Sequence, residues 1–564
     1  MHDLLIKNGR IVDGSGLPSF RGDVAVNDGV ITEVGKVRDG ALRTIDADGL
    51  VVAPGFVDMH THYDAQVFWD PVIESSGGNG VTTVVMGNCG FTLAPCRPRD
   101  HEYMGRTLAR VEDISATAIL KGVTFRWDSF GEYLAAIDRP MGINVAANVG
   151  HTAVRRYVMG DDASARAATP QEIDAMKAHI REAMAAGACG LTTSRGASHW
   201  GPFGEPVPSR LAALQEVYEL AMAMAPFGNG NFECVGMSDA PEDRELLIRI
   251  SLELGRQVNW NELNQMSRRP DAWKEALRFM EEANRRGAQI YGIARCQTGD
   301  LEFDLMDNSR RIFMYPGWRE VLTKPVPERL ALLQDSAARQ RLKESLEGDV
   351  KTGPSMQWKT TAILGVAKEA NRPFVGRTLE QIGREQGKHP LDALLDLAVG
   401  EELLTEFAFL GFMNDDQEAV GKILQSQFAV IGISDAGAHL VSRSKADYGL
   451  YCLATWVRER RIFSLEHAVM KLTFMPASLM GFHDRGLVRQ GMAADISIFD
   501  AETVAPGPQK RVKDLPGEGP RVIARGEGIP YVIVNGQVAF ENGRATGTLG
   551  GGLLRGNRYR KDRR

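Results

Sequence analysis

Hydrophobic positions change rhythm along this chain. Over residues 1–50, DLLIKNGRIVDGSG, GDVAVNDGVITEVG and LRTIDADGL set β-branched runs beside Asn-Gly and Asp-Gly, the signal of short strands and tight turns. The same texture returns in ADISIFDAET and PYVIVNGQVAFENG near the other end. Between them, apolar runs at 81–88, 142–150, 190–194, 229–236, 257–263, 289–294 and 428–435 alternate with helical patterns. PQEIDAMKAHIREAMAAG, at 170–187, opens on Pro and closes on Gly, a good pair of helix boundaries. With the run that ends before His60, eight strands are predicted, so the expected fold is α/β, a (β/α)8 TIM-like barrel. A doubly wound open sheet is the alternative, but no glycine-rich phosphate fingerprint follows the first strand. The flanking β portions predict a small β-sandwich domain built from both termini, residues 1–52 plus 486–548. The barrel then spans 53–485, with a helical insertion around 296–427 packed over its mouth as a lid or interface.

Composition narrows the function. A chain of 564 residues is too long for one simple core. A net charge of -6 gives no reason to expect nucleic acid or an anionic membrane as partner. Six scattered cysteines make no disulfide framework, and free thiols in a reducing cytoplasm are the simpler account. MHDLLIKNGRIVDG lacks the basic and apolar regions of a signal peptide, and no run approaches a membrane span. The basic end, RGNRYRKDRR, is expected to be a solvated tail. The sequence leaves open whether the chain works as a homo-oligomer.

The chemistry concentrates in VVAPGFVDMHTHYD, residues 51–64. Alternate strand residues share a face, so His60 and His62 point the same way and can chelate one Zn²⁺-like ion. The pair stands at the carboxyl end of a buried strand, where α/β barrels place their active sites. GISDAGAH puts Asp435 at the end of the last strand, beside the first once a barrel closes. An Asp there can touch a metal and accept a proton from its water; as a bland alternative it caps a helix. Cys89, in NCG after the second strand, is a further ligand candidate, or an inert buried thiol. His151, in VGHTAVR, is a candidate hydrogen-bond partner for substrate, and His199 in SRGASHW reads more simply as a loop residue. If the substrate carries a carboxylate, an arginine fork should clamp it. Arg195 and Arg295 are placed for that, or for the surface.

Together GFVDMHTHYD, GVTTVVMGNCGFTLAP, VGHTAVR, GISDAGAH and MPASLMGFHDRGLVRQGMAADISIFD resemble the amidohydrolase superfamily. Within it they are similar to the D-aminoacylase, or N-acyl-D-amino-acid deacylase, group, over essentially the whole chain. The resemblance implies a metal-dependent hydrolase of a linear amide, with one or two Zn²⁺ ions and a small-molecule amide as substrate. It puts His60, His62, Cys89 and Asp435 on the family's metal-site positions, with Asp435 as general base.

Two departures stand out. The family has metal-ligand histidines at the ends of strands five and six, whereas this chain reads GNGNFECVG and VNWNELNQM there. Glu233 falls near the first missing histidine, and Asn261 or Glu262 near the second. Glu233 either supplies an oxygen ligand to the metal or leaves it to His60, His62, Cys89 and Asp435. Cyclic amide hydrolysis, as in hydantoinase- or dihydroorotase-like relatives, is an alternative activity, though no obvious bridging Lys ends strand four. A non-catalytic relative is the other reading, motivated by the missing histidines and opposed by the retained HxH and Asp435.

Overall fold

The computed structural model describes residues 1–564 except 238–239, 268, 307–308, 310–311, 348–356, 441–443 and 560–564, so the end of the basic tail lies outside the described residues. Eight parallel strands form the barrel: β1 (Phe56–Asp58), β2 (Val81–Met86), β3 (Asn144–Ala147, resuming at Val149–Gly150), β4 (Gly190–Ser194), β5 (Asn231–Val235), β6 (Gln257–Leu263), β7 (Gln289–Ala294) and β8 (Ala429–Val430). Each pairs in parallel with the next, as in Val84 with Val145 and Glu233 with Asn259. Closure comes where His60 bridges Ile433, extended by Asp435 N–H to the His60 carbonyl (3.2 Å) and His62 N–H to the Ala436 carbonyl (2.7 Å). These strands are apolar and buried on both faces because helices cover the barrel outside and side chains fill it inside, as VTTVVM in β2 illustrates.

The inside is packed by Val57, Met59, Val85, Ala146, Cys189 and Val430, joined by Met480, Phe482 and Leu554. Outside, helix Pro170–Ala186 begins with a Thr169–Glu172 capping box and Pro170 in its first turn, and ends at Gly187, as its sequence predicts.

The two ends of the chain share one nine-stranded sheet. Strand His2–Ile11 branches it, pairing along one edge with Phe20–Asn27 and along the other with both Ala41–Asp46 and Val51–Pro54. Ile6, Val24, Val52, Ile496 and Ile533 fill the sandwich core. Within the carboxyl-terminal portion, Gln509–Leu515 and Gly519–Ala524 pair only with each other. This hairpin leaves the sandwich and reaches the barrel rim, where Val522 N–H donates to the Leu440 carbonyl at 2.7 Å.

The insertion after β7 corrects the helical expectation. It holds helices, among them Val326–Gln334 and Pro390–Gly400, but also a three-stranded antiparallel sheet of Gly299–Phe303, Glu406–Met413 and Thr361–Gly365. It has a core of its own, with Trp318, Phe407 and Leu394. Asn414 ties it to the barrel mouth, donating to the carbonyls of Arg295 (2.9 Å) and Gln297 (3.1 Å).

Candidate metal centre

His60 and His62 stand just past the end of β1, with Thr61 between them donating its hydroxyl to the Val85 carbonyl of β2 at 2.7 Å. Their rings lie 5.2 Å apart, centroid to centroid, and both are fully buried. Asp58 ties this strand end to β8, accepting from the backbone N–H of Ser434 (3.2 Å) and of His60 (3.3 Å).

Cys89 enters from the turn after β2 with φ of 55°, a left-handed conformation that costs a non-glycine residue of order 1–3 kcal/mol. Gly87 permits that turn: its φ is 79° and a Cβ would stand 2.3 Å from the Asn148 carbonyl oxygen. The turn aims Cys89 Sγ at His60 Nε2 (3.4 Å) and His62 Nε2 (4.0 Å). Asp435, also left-handed at 66°, places Oδ1 3.2 Å from His62 Nε2 and 3.9 Å from His60 Nε2. Its other oxygen accepts from Arg295 Nη2 at 3.1 Å and faces His439 Nε2 at 3.6 Å.

Sequence reasoning missed Glu112, the last residue of helix His101–Glu112, whose Oε2 lies 3.5 Å from His62 Nε2. The signal was slight: Glu112 continues the buried stripe of Met104 and Leu108 at intervals of one helical turn. Glu233 meets the cluster from behind. Its Oε2 accepts from His60 Nδ1–H and its Oε1 from Cys89 N–H, both at 3.2 Å. Asn261 Nδ2 lies 3.4 Å from His60 Nε2, and Glu262 accepts from Arg295 Nε at 2.7 Å.

Other candidates are spoken for elsewhere. His151 Nδ1 meets the Thr193 hydroxyl (2.8 Å) and its Nε2 meets Glu216 (2.9 Å), in a buried network with Arg155. Arg195 donates to Asp243 at 2.8 Å, and His199 Nδ1 meets the Ser194 hydroxyl at 2.7 Å. Arg295 does reach the centre, but its guanidinium is held between Glu262 and Asp435.

The ionisable groups of this cluster shift one another's protonation. Burial opposes a charge on His62, yet Glu112, Asp435 and Asp64 push its pKa up to about 9. His60 is raised despite burial, chiefly by Glu233. Burial also resists charge on Asp435, but His62, Arg295 and His439 hold its carboxyl well below the usual range. Carboxylates thus gather protons onto imidazoles whose nitrogens are metal-binding atoms. Two groups of donors have their ligand atoms within 4.8 Å of one another: His60, His62 and Cys89, and His62, Glu112 and Asp435. Thiolate, imidazole and carboxylate are the donor types zinc takes, and one oxygen of Glu112 is buried without a hydrogen bond among the described residues.

The model of the Amidohydrolase family matches residues 43–540. A D-aminoacylase of Alcaligenes xylosoxydans xylosoxydans is 28% identical over 563 residues, 98% of this chain and 97% of the relative. A solved D-aminoacylase described as having a binuclear metal center superposes with a TM-score of 0.68 at 27% identity, covering 98% of this chain and 100% of that one. The N-acyl-D-glutamate deacylase of Bordetella bronchiseptica, solved with zinc and a phosphonate inhibitor, gives 0.67 at 25% identity, covering 98% and 99%. The chain belongs to the amidohydrolase family. Among the described residues no helix is long and apolar enough to cross a membrane.

Proposed function

We propose that this protein is a metal-dependent hydrolase of a linear amide, an N-acyl amino acid, with the D-configured amine portion favoured by its relatives. The observation that carries the reading is the meeting of His60, His62, Cys89 and Asp435 at the carboxyl ends of β1, β2 and β8. These residues would hold Zn²⁺, the ion described with the Bordetella relative. Bound there, zinc supplies a Lewis acid for the amide carbonyl and makes a water more acidic.

The chain's own residues handle the proton. Asp435 turns Oδ1 to the histidine pair, so it can accept a proton from the attacking water and pass it to the departing nitrogen. Arg295 and His439 hold its other oxygen and so fix the rotation of the carboxylate. Glu233 serves better as an orienting partner than as a ligand. By accepting from Nδ1–H it keeps the Nε2 lone pair of His60 facing the centre. Six cysteines without a disulfide support a reducing compartment such as the cytoplasm.

The test is hydrolysis of paired N-acyl-D- and N-acyl-L-amino acids, read as release of free amine, before and after chelation. The expected result is cleavage of at least one N-acyl-D-amino acid, lost on metal removal and restored by Zn²⁺. Cleavage that survives complete metal removal, or no cleavage of any member by the zinc-loaded protein, would overturn the reading.

A further inference from the structure

We propose that Glu112 is a metal ligand, completing with His62 and Asp435 a second divalent-cation position beside the one framed by His60 and Cys89. The proposal rests on the metal-dependent reading above and adds to it a donor from outside the barrel strands.

Glu112 is 2% exposed, and its Oε1 has no hydrogen-bond partner among the described residues. Its Oε2 has His62 Nε2 at 3.5 Å, and that nitrogen also has Asp435 Oδ1 at 3.2 Å. His62 meets one oxygen of this buried carboxylate, and the other oxygen is left to meet a further cation. The other donor group, His60, His62 and Cys89, also draws on His62, yet one imidazole nitrogen binds only one ion. Two ions therefore divide the donors. Nitrogen and two carboxylates around His62 make a harder set, suited to Zn²⁺ or Mn²⁺, while His60 and Cys89 offer nitrogen and the softer thiolate.

The surroundings hold Glu112 in place. The Glu112 carbonyl accepts the His439 backbone N–H at 2.6 Å, and His439 Nδ1 meets Asp113 at 2.7 Å. The helix end and the loop after β8 are thus fastened together, so Glu112 and Asp435 keep a fixed separation. This also bears on the absent histidines of β5 and β6, since a donor from the helix after β2 makes up part of the lost set.

The experiment titrates metal-stripped full-length protein with Co²⁺, reading stoichiometry by elemental analysis and thiolate coordination by its near-ultraviolet charge-transfer band. Wild type should take two ions, one giving the thiolate band. Glu112→Gln, which keeps shape and the backbone contact, should keep the banded ion and lose the other or bind it at least tenfold more weakly. Glu112→Asp should fall between them, which also covers failure of the Gln variant to fold. Two ions bound with unchanged affinity in Glu112→Gln and Glu112→Asp, or one banded ion in wild type, would overturn the proposal alone. Uptake of no ion by wild type would overturn the proposed function with it.

Discussion

The two sides of the barrel rim treat the same centre differently. At β1, β2 and β8, His60 Nε2, His62 Nε2, Cys89 Sγ and Asp435 Oδ1 turn toward one another over 3.2 to 4.0 Å. At β5 and β6 the polar groups complement those residues instead: Glu233 accepts from His60 Nδ1 and Cys89 N–H, and Asn261 brings an N–H donor. The first side gathers imidazole, thiol and carboxylate donor atoms, whereas the second supplies hydrogen-bond partners to His60 and Cys89. Under the proposed function, the chain does without the family's histidines at two strand ends because those positions have passed from ligating to orienting.

Removing a donor from the first side should have the largest effect. His60→Ala or His62→Ala should abolish turnover and sharply lower zinc content, with the circular dichroism spectrum near wild type, because both lie at the rim. Wild-type metal content and activity in both variants would erase the contrast. Asp435→Asn should keep the ion held by His60 and Cys89, weaken the one beside Glu112, and lower kcat by about 10² or more, since the proton acceptor is gone. Retained activity would hand the base role to another carboxylate.

A change on the second side should be milder. Glu233→Gln should weaken zinc binding by about 10- to 100-fold, the usual cost of losing an orienting partner, with stoichiometry unchanged. If Glu233 is a ligand after all, Glu233→Gln should lower stoichiometry and Glu233→His should restore it.

Proton competition gives a graded effect. His62 in the metal-free chain keeps its proton up to about pH 9, and zinc must displace it. Zinc affinity measured by calorimetry should rise up to about tenfold per pH unit from pH 6.5, then level off near 9. The metal-free fold has the opposite trend from this group: its contribution is full below the unfolded value, about 6.5, and is lost as pH rises through about 9. A flat affinity over that range would place the binding nitrogen elsewhere.

The barrel was legible because parallel strands buried on both faces read as apolar runs, and because β1 ends in two histidines on one face. β8 was legible only in part: its ladder is two residues long, and the backbone beyond it bends to bring Asp435 beside His62. The insertion sheet was hidden although Glu406–Met413 is apolar, because its partners Gly299–Phe303 and Thr361–Gly365 are distant in sequence and its neighbours are helical. The hairpin at 509–524 was read as part of the sandwich, since β texture does not say which edge a strand finds. Glu112 had no motif, as its nearness to His62 exists only after helix His101–Glu112 packs on the rim. His151 and Arg195 were plausible by position, but the partners that engage them, Glu216 and Asp243, lie on later helices.

The central claim is that metal is held from the β1, β2 and β8 side. An anomalous difference map from crystals of the zinc-loaded protein, collected across the zinc edge, tests it most directly. The account predicts density at bonding distance, about 2.0–2.3 Å, from the imidazole Nε2 atoms, Cys89 Sγ and an Asp435 oxygen, with Glu233 still on His60 Nδ1. Density bonded to Glu233 and not to the histidine pair, or none within the rim, would contradict it.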